Sequence, residues 1–224
     1  SFDIKVYDNV SIGTFLMDMD ISATVFQENF GDFEYEDNVV YEFDITIDQK
    51  GFPYETLDQV FCAPAIIDID QNGDNEIIFG DNSGIFYFLN QENMSIYASY
   101  DMGDEIWGAP AIDDLDGDGD LEVAITSKNG FFYIFNHLGN LIFEEDFEAY
   151  LMGAPAIGNF GNNGDKAVYV PTFESDGKIY QIRWSEFDGE FIVASTFFVG
   201  SKIQKGVALH DFSGGGTDSD DLVY

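Results

Sequence analysis

Two short stretches hold the residue types that could do chemistry: Asp68-Ile69-Asp70-Gln71-Asn72-Gly73-Asp74-Asn75-Glu76 and Asp114-Leu115-Asp116-Gly117-Asp118-Gly119-Asp120-Leu121-Glu122. Each places a carboxylate or amide oxygen at positions 1, 3 and 5 and a Glu at 9, with a Gly at 6 to turn the chain. Gathering hard oxygen donors on one tight turn is what Ca²⁺ requires, with its roughly 6 to 8 oxygen ligands. The candidate ligands are Asp68, Asp70, Asn72 and Glu76 in the first loop and Asp114, Asp116, Asp118 and Glu122 in the second. Asp74 and Asp120 stand at position 7, where a main-chain carbonyl usually serves. A polar turn that merely tolerates Asp and Gly is the competing reading. Repetition at fixed spacing favours metal, so two Ca²⁺ sites are expected.

These loops differ from the EF-hand, which needs a bidentate Glu at its twelfth position and helices on both sides. The twelfth position of the second loop is Ile125, and β-branched Val123-Ala124-Ile125-Thr126 follows directly. The last carboxylate therefore opens a strand, and the loop closes a β-hairpin.

The elements that must position the loops recur. Ala63-Pro64-Ala65-Ile66 and Ala109-Pro110-Ala111-Ile112 precede the two loops, and Ala154-Pro155-Ala156-Ile157 follows as a third copy. Gly206-Val207-Ala208-Leu209, leading to His210-Asp211, is an eroded fourth. Pro64, Pro110, Pro155 and Val207 stand 46, 45 and 52 residues apart. A period in the forties with strand-like content marks a propeller blade or a similar stacked unit. In the third copy the ligand positions hold Asn159, Gly161, Asn163 and Ala167, so that loop is expected to have lost its metal. The fourth copy is ambiguous.

This recurring block resembles the FG-GAP/VCBS-type repeats of bacterial surface proteins, also found in the propellers of integrin α subunits, over roughly residues 51–224. The resemblance implies a β-propeller of four-stranded blades with Ca²⁺ in the first hairpin of each intact blade, and it implies no reaction. The expected fold is all-β: a partial propeller of about three and a half blades over residues 51–224, preceded by a β-sandwich-like segment over residues 1–50. In that segment Phe2–Tyr7, Thr14–Phe26 and Val39–Ile47 read as strands and acidic Glu28–Asp37 as a loop. Asp8-Asn9-Val10-Ser11-Ile12-Gly13-Thr14 resembles the turn of Ig-like sandwich modules; a divergent blade without a calcium loop is the alternative. A closed propeller needs about 4 to 8 blades, so the rest of the ring lies elsewhere or the N-terminal strands complete it.

Composition bounds the function. With 45% hydrophobic and 17% aromatic residues, 224 residues can bury a sizeable core. Eight Lys and Arg against 43 Asp and Glu give a formal net charge of −35, which repels nucleic acid and anionic membrane and attracts multivalent cations. No apolar run is long enough to span a bilayer. The lone Cys62 takes the place of Gly108 and Gly153 in the other repeats, which suits a small buried residue and forbids an internal disulfide. Calcium loops without disulfides suit a prokaryotic secreted or surface protein, where Ca²⁺ is millimolar. The chain is expected to be extracellular and part of a longer polypeptide.

No catalytic constellation stands out. His137 and His210 read as structural histidines, and Trp184 as core. Phe61, Trp107 and Met152 occupy matching blade entrances, either as a packing ring or as a sugar-stacking platform. The expectation is a non-enzymatic scaffold for adhesion or for binding a protein or carbohydrate ligand on its loops. The alternative is an accessory or catalytic region of a secreted hydrolase or lyase acting on polysaccharide or protein.

Overall fold

A computed structural model describes residues 13–27, 31–45, 53–159, 166–210 and 221–223, and every regular element among them is a β-strand. The chain divides into two compact units, Ser1–Pro53 and Tyr54–Tyr224.

In the first unit β1 (Gly13–Gln27) and β2 (Gly31–Ile45) form one antiparallel ribbon whose register runs unbroken from Gly13↔Ile45 to Gln27↔Gly31. The acidic stretch expected as a loop is therefore strand from Gly31 onward. Phe33, Tyr35, Val39, Tyr41 and Phe43 recur at a period of two, and that strand period outweighs the charge between them. A sandwich needs a second sheet; Phe2–Tyr7, expected to supply a strand, lies outside the described residues.

The second unit contains three four-stranded antiparallel sheets, each running β-strand to β-strand in chain order. The first holds β3 (Ala65–Ile67), β4 (Glu76–Gly80), β5 (Ile85–Asn90) and β6 (Ile96–Asp101). The second holds β7 (Ala111–Asp113), β8 (Glu122–Thr126), β9 (Phe131–Phe135) and β10 (Leu141–Asp146). The third holds β11 (Ala156–Asn159), β12 (Lys166–Pro171), β13 (Lys178–Ser185) and β14 (Glu190–Phe198). A final pair, β15 (Ala208–His210) and β16 (Asp221–Val223), begins a fourth. This is a partial β-propeller of three blades and part of another.

Packing explains why the inner strands are apolar without alternation. Along β9, Tyr133 and Phe135 enter the layer shared with the first blade, where Ile78, Phe86 and Phe88 meet them. Phe132 and Ile134 enter the layer shared with the third blade, against Val168, Val170 and Ile182. A strand covered on both faces has no polar side to show. β15 continues the scheme, since Val207 and Leu209 pack on Ala167, Tyr169 and Ile179 of the third blade.

Each blade turns from its second strand to its third on a buried polar residue, Asp81, Ser127 or Thr172, at the repeat's own spacing. Asp81 accepts from the Ser83 and Ile85 amides at 3.0 and 3.1 Å, the Ser83 hydroxyl at 2.6 Å and the Tyr87 hydroxyl at 3.0 Å. Every blade also carries one register shift in its outer half, at Phe88/Leu89, Leu141/Phe143 and Gln181/Ile182.

The blade entrances need small residues. A Cβ at Gly108 would lie 2.8 Å from the Thr126 hydroxyl, and one at Gly153 would lie 2.7 Å from the Gly206 amide. At the matching place in the first blade, buried Cys62 exchanges hydrogen bonds with the Gly80 backbone at 3.2 Å, and burial pushes its thiol pKa up.

Phe135 is fully buried with ring centroids of Phe86, Tyr100 and Phe88 at 5.5, 5.2 and 6.0 Å. Phe135→Ala is expected to cost about 3–5 kcal/mol in urea unfolding, whereas Phe187→Ala, at a side chain 97% exposed, stays within about 0.5 kcal/mol of the parent. Equal losses at the two positions would show that the blades are not stacked through this layer.

Candidate metal centres

Both acidic loops close the first hairpin of a blade, and the strand register sets their geometry. Ile67 pairs with Glu76, and Asp113 with Glu122, so each loop starts one residue past the pair and ends on it. The tight turn needs left-handed backbone at two places. Gly73 and Gly119 take φ of 100° and 98° at position 6; at position 4, Gly117 takes 81° and Gln71, a non-glycine, takes 57°. Asx-type hydrogen bonds then curl the chain inward. Asp68 accepts from the Gly73 amide at 3.0 Å, Asp70 from the Asn72 amide at 3.2 Å and Asn72 from the Asp74 amide at 2.7 Å. Asp114, Asp116 and Asp118 do the same with the amides of Gly117, Asp118 and Asp120, at 2.8, 3.1 and 2.8 Å.

The structure brings together Asp68, Asp70 and Glu76 in the first loop and Asp114, Asp116 and Asp118 in the second, each set with ligand atoms within 4.8 Å of one another. The other loop residues stand differently. Asn72 donates to Asp70 at 2.9 Å, Asp74 lies outside the carboxylate set, and Asp120 sits 3.3 Å from the Nδ1 of His137. Glu122 is 2% exposed and accepts from the Leu115 amide at 2.8 Å, as Glu76, also 2% exposed, accepts from Ile69 at 3.1 Å. In each case the Glu ties the loop's second residue to the strand.

Like charges at such spacing repel by about 3 kcal/mol per pair at an effective dielectric near 20. The titration of the sites reflects this. Burial, with repulsion from Asp116, Asp118 and Asp114, pushes the Glu122 pKa up to about 7 against the pull of the Leu115 amide. Burial, together with neighbouring carboxylates, raises Glu76 and Asp116 as well. In the first loop Asp68 Oδ1 is buried without a hydrogen-bond partner, the kind of orphaned oxygen that a cation would satisfy. An all-oxygen donor set with a buried free carboxylate oxygen fits a hard divalent ion. The two clusters could therefore hold metal ions.

The loops also touch. The Gln71 side chain donates to the Gly119 carbonyl at 2.9 Å, and the main-chain carbonyl of His137 accepts from the Tyr97 hydroxyl of β6 at 2.8 Å. Loop periodicity gives no hint of this bridge, because Gln71 has no counterpart in the second loop. Trp107, one of the matched entrance residues, has the Phe61 ring edge at 6.0 Å and the Lys128 ammonium 5.2 Å above its face, with Lys128 paired to Glu105 at 2.8 Å. Its ring is taken up in packing. Of the third loop's ligand positions, only Asn159 and Ala167 fall among the described residues, and both lie on strands. His210 ends β15.

No protein-family model matches the sequence, and no curated protein matches it. Solved structures are similar at low identity. BBS1N in complex with ARL6DN shares 14% identity over 90% of this chain and 62% of its own, with a TM-score of 0.47. The V. cholerae biofilm matrix protein Bap1 shares 18% over 78% of this chain and 36% of its own, at 0.42. The β-propeller domain of Myceliophteria thermophila Cps50 (Swd1) shares 12% over 75% of this chain and 54% of its own, at 0.43. The chain thus spans less than two thirds of each. At these scores the blade assignment stands on the chain's own three sheets.

A raised carboxylate pKa fixes the sign of the pH dependence. Glu122 favours protonation in the folded, metal-free state, so its contribution is fully present below the unfolded value of about 4.3 and is lost as pH rises through about 7. Metal-stripped protein is expected to lose at least about 3 °C of melting temperature between pH 5.5 and 8, and Glu122→Gln to flatten that slope. A melting temperature that climbs across this window in the stripped protein would contradict the account.

Proposed function

We propose that this chain is an extracellular, calcium-binding β-propeller scaffold of the FG-GAP/VCBS type, whose loops bind a protein or carbohydrate ligand. The observation that carries it is the first loop: three carboxylates, Asp68, Asp70 and the buried Glu76, within 4.8 Å of one another, with one Asp68 oxygen buried and unpartnered. The donors are all oxygen, which disfavours Zn²⁺, and they sit on a flexible Asp- and Gly-rich turn, which suits Ca²⁺ better than the strict octahedron of Mg²⁺. A second loop of the same pattern one period later supports the repeat type. Millimolar Ca²⁺ outside cells would fill such sites, and the net charge of −35 favours cation uptake.

The scaffold reading, in preference to an enzyme, draws on where the polar groups stand. The clustered carboxylates belong to the hairpin loops, His137 is engaged by Asp120, and blade strands are spent on packing. Binding is then the work of loops held rigid by the stack.

Melting curves with and without Ca²⁺ test this. If each site binds at ~0.1 mM and the medium holds ~10 mM, each adds about 2.7 kcal/mol. Asp70→Ala and Asp116→Ala are each expected to remove one bound ion by elemental analysis, and Asn163→Ala none. Superimposable curves in Ca²⁺ and EGTA, or an equal effect of Mg²⁺, would overturn the calcium assignment.

A further inference from the structure

Beside the second loop, a cavity of about 450 Å³ opens between the second and third blades. Asp114 and Asp116 form one side of it, Lys166 and Arg183 supply positive charge, and Trp184 and Phe187 supply rings. Two features set this cavity apart from the rest of the surface. Arg183 is the only arginine in a chain with 43 carboxylates, yet among the described residues it makes no ion pair and stands exposed. Lys166, by contrast, is paired with Asp113. Phe187, 97% exposed at the turn that follows β13, presents an open apolar ring at the mouth of the cavity. Trp184 is half-buried, with its ring on Phe191 at 5.1 Å.

An unpaired guanidinium is a fork for a carboxylate, and exposed rings are surfaces for an apolar ring face. Asp114 and Asp116 belong to the second loop, so an ion held there would offer its remaining coordination positions to oxygens in the same cavity. A hexuronate meets all three demands. Its carboxylate matches Arg183, its hydroxyls match a hard cation, and the C–H face of its ring matches Phe187 and Trp184. The volume suits one or two sugar units. Glu186 also lines the cavity, and the negative field of the protein opposes any polyanion, so uronate binding rests on the local pairing of Arg183 and the rings with an ion held by the second loop.

We propose that the cavity between the second and third blades, lined by Arg183, Phe187 and the second acidic loop, is a binding site for a uronic-acid sugar. Its metal-dependent part rests on the calcium reading above, while the arms supplied by Arg183 and Phe187 do not.

Isothermal titration of the whole chain with oligogalacturonate, in 5 mM Ca²⁺ and in EGTA, tests it, with the neutral galactose oligomer and an acidic peptide as competitors for the same site. The expected result is saturable uronate binding in Ca²⁺ and at least tenfold weaker binding of the neutral oligomer. Arg183→Gln and Phe187→Ala should each weaken uronate binding tenfold or more, with Ca²⁺ stoichiometry and melting temperature unchanged, and Arg183→Lys should restore part of it. A Ca²⁺ titration run without sugar separates the two readings: absence of ion uptake together with uronate binding that still needs Arg183 ends the calcium assignment and leaves the sugar site standing. Failure of uronate to bind at 10 mM, binding indifferent to Arg183→Gln, equal binding of the neutral oligomer, or binding of the acidic peptide alone would each overturn the proposal.

Discussion

The structure depends on the fact that its inner strands are apolar on both faces. Strands such as β8 and β9 are covered on both faces, so the second blade is a layer between the first and the third. Aromatic rings fill these layers because they remove much surface from water with few rotatable bonds, and ring contacts run from Phe86, tilted on Phe135, to Tyr100, edge-on to Phe135. The same demand makes the blade entrances intolerant of bulk, and it confines Gly108, Gly153 and Cys62 to one place in each repeat.

Excluding charge from the layers concentrates it at the strand ends. Among the described residues, Glu76, Glu122 and Asp81 are the buried carboxylates, and each accepts hydrogen bonds that bind a loop or turn to its strand. Buried carboxylates without a cation are costly, as the raised pKa of Glu122 records. The loops are thus held in a shape that repels itself, which is the condition under which a divalent ion binds with little rearrangement.

Much of this could be read from residue order. The Ala-Pro-Ala-Ile block and its period marked the blades, and unbroken apolar runs such as Phe131–Phe135 marked strands covered twice, because both patterns follow from local chemistry. The paired acidic loops are legible for the same reason, although of the ten residues expected there only Asp68, Asp70 and Glu76 in the first loop and Asp114, Asp116 and Asp118 in the second converge. What escaped depends on proximity across repeats. The bridge from Gln71 to Gly119 joins residues 48 apart, and Arg183 reaches the second loop only once two blades are stacked. The strand from Gly31 onward is hidden for a different reason: its charges mask the period of two beneath them. The buried hydroxyls and carboxylate at Asp81, Ser127 and Thr172 do obey the repeat, but three different residue types conceal a shared role.

The register shift in the outer half of every blade bears on how such a protein stays dispersed. β6, β10 and β14 are sheet margins, with main-chain groups open to pairing with a neighbouring molecule. A bulge twists each margin away from a flat template, and Asp101, Glu144, Glu145, Asp146 and Glu190 add charge along the same strands. A repeat architecture multiplies its exposed margins with every blade added, so a safeguard against fibril-like association has to be repeated with the blade itself. These three sheets carry one each.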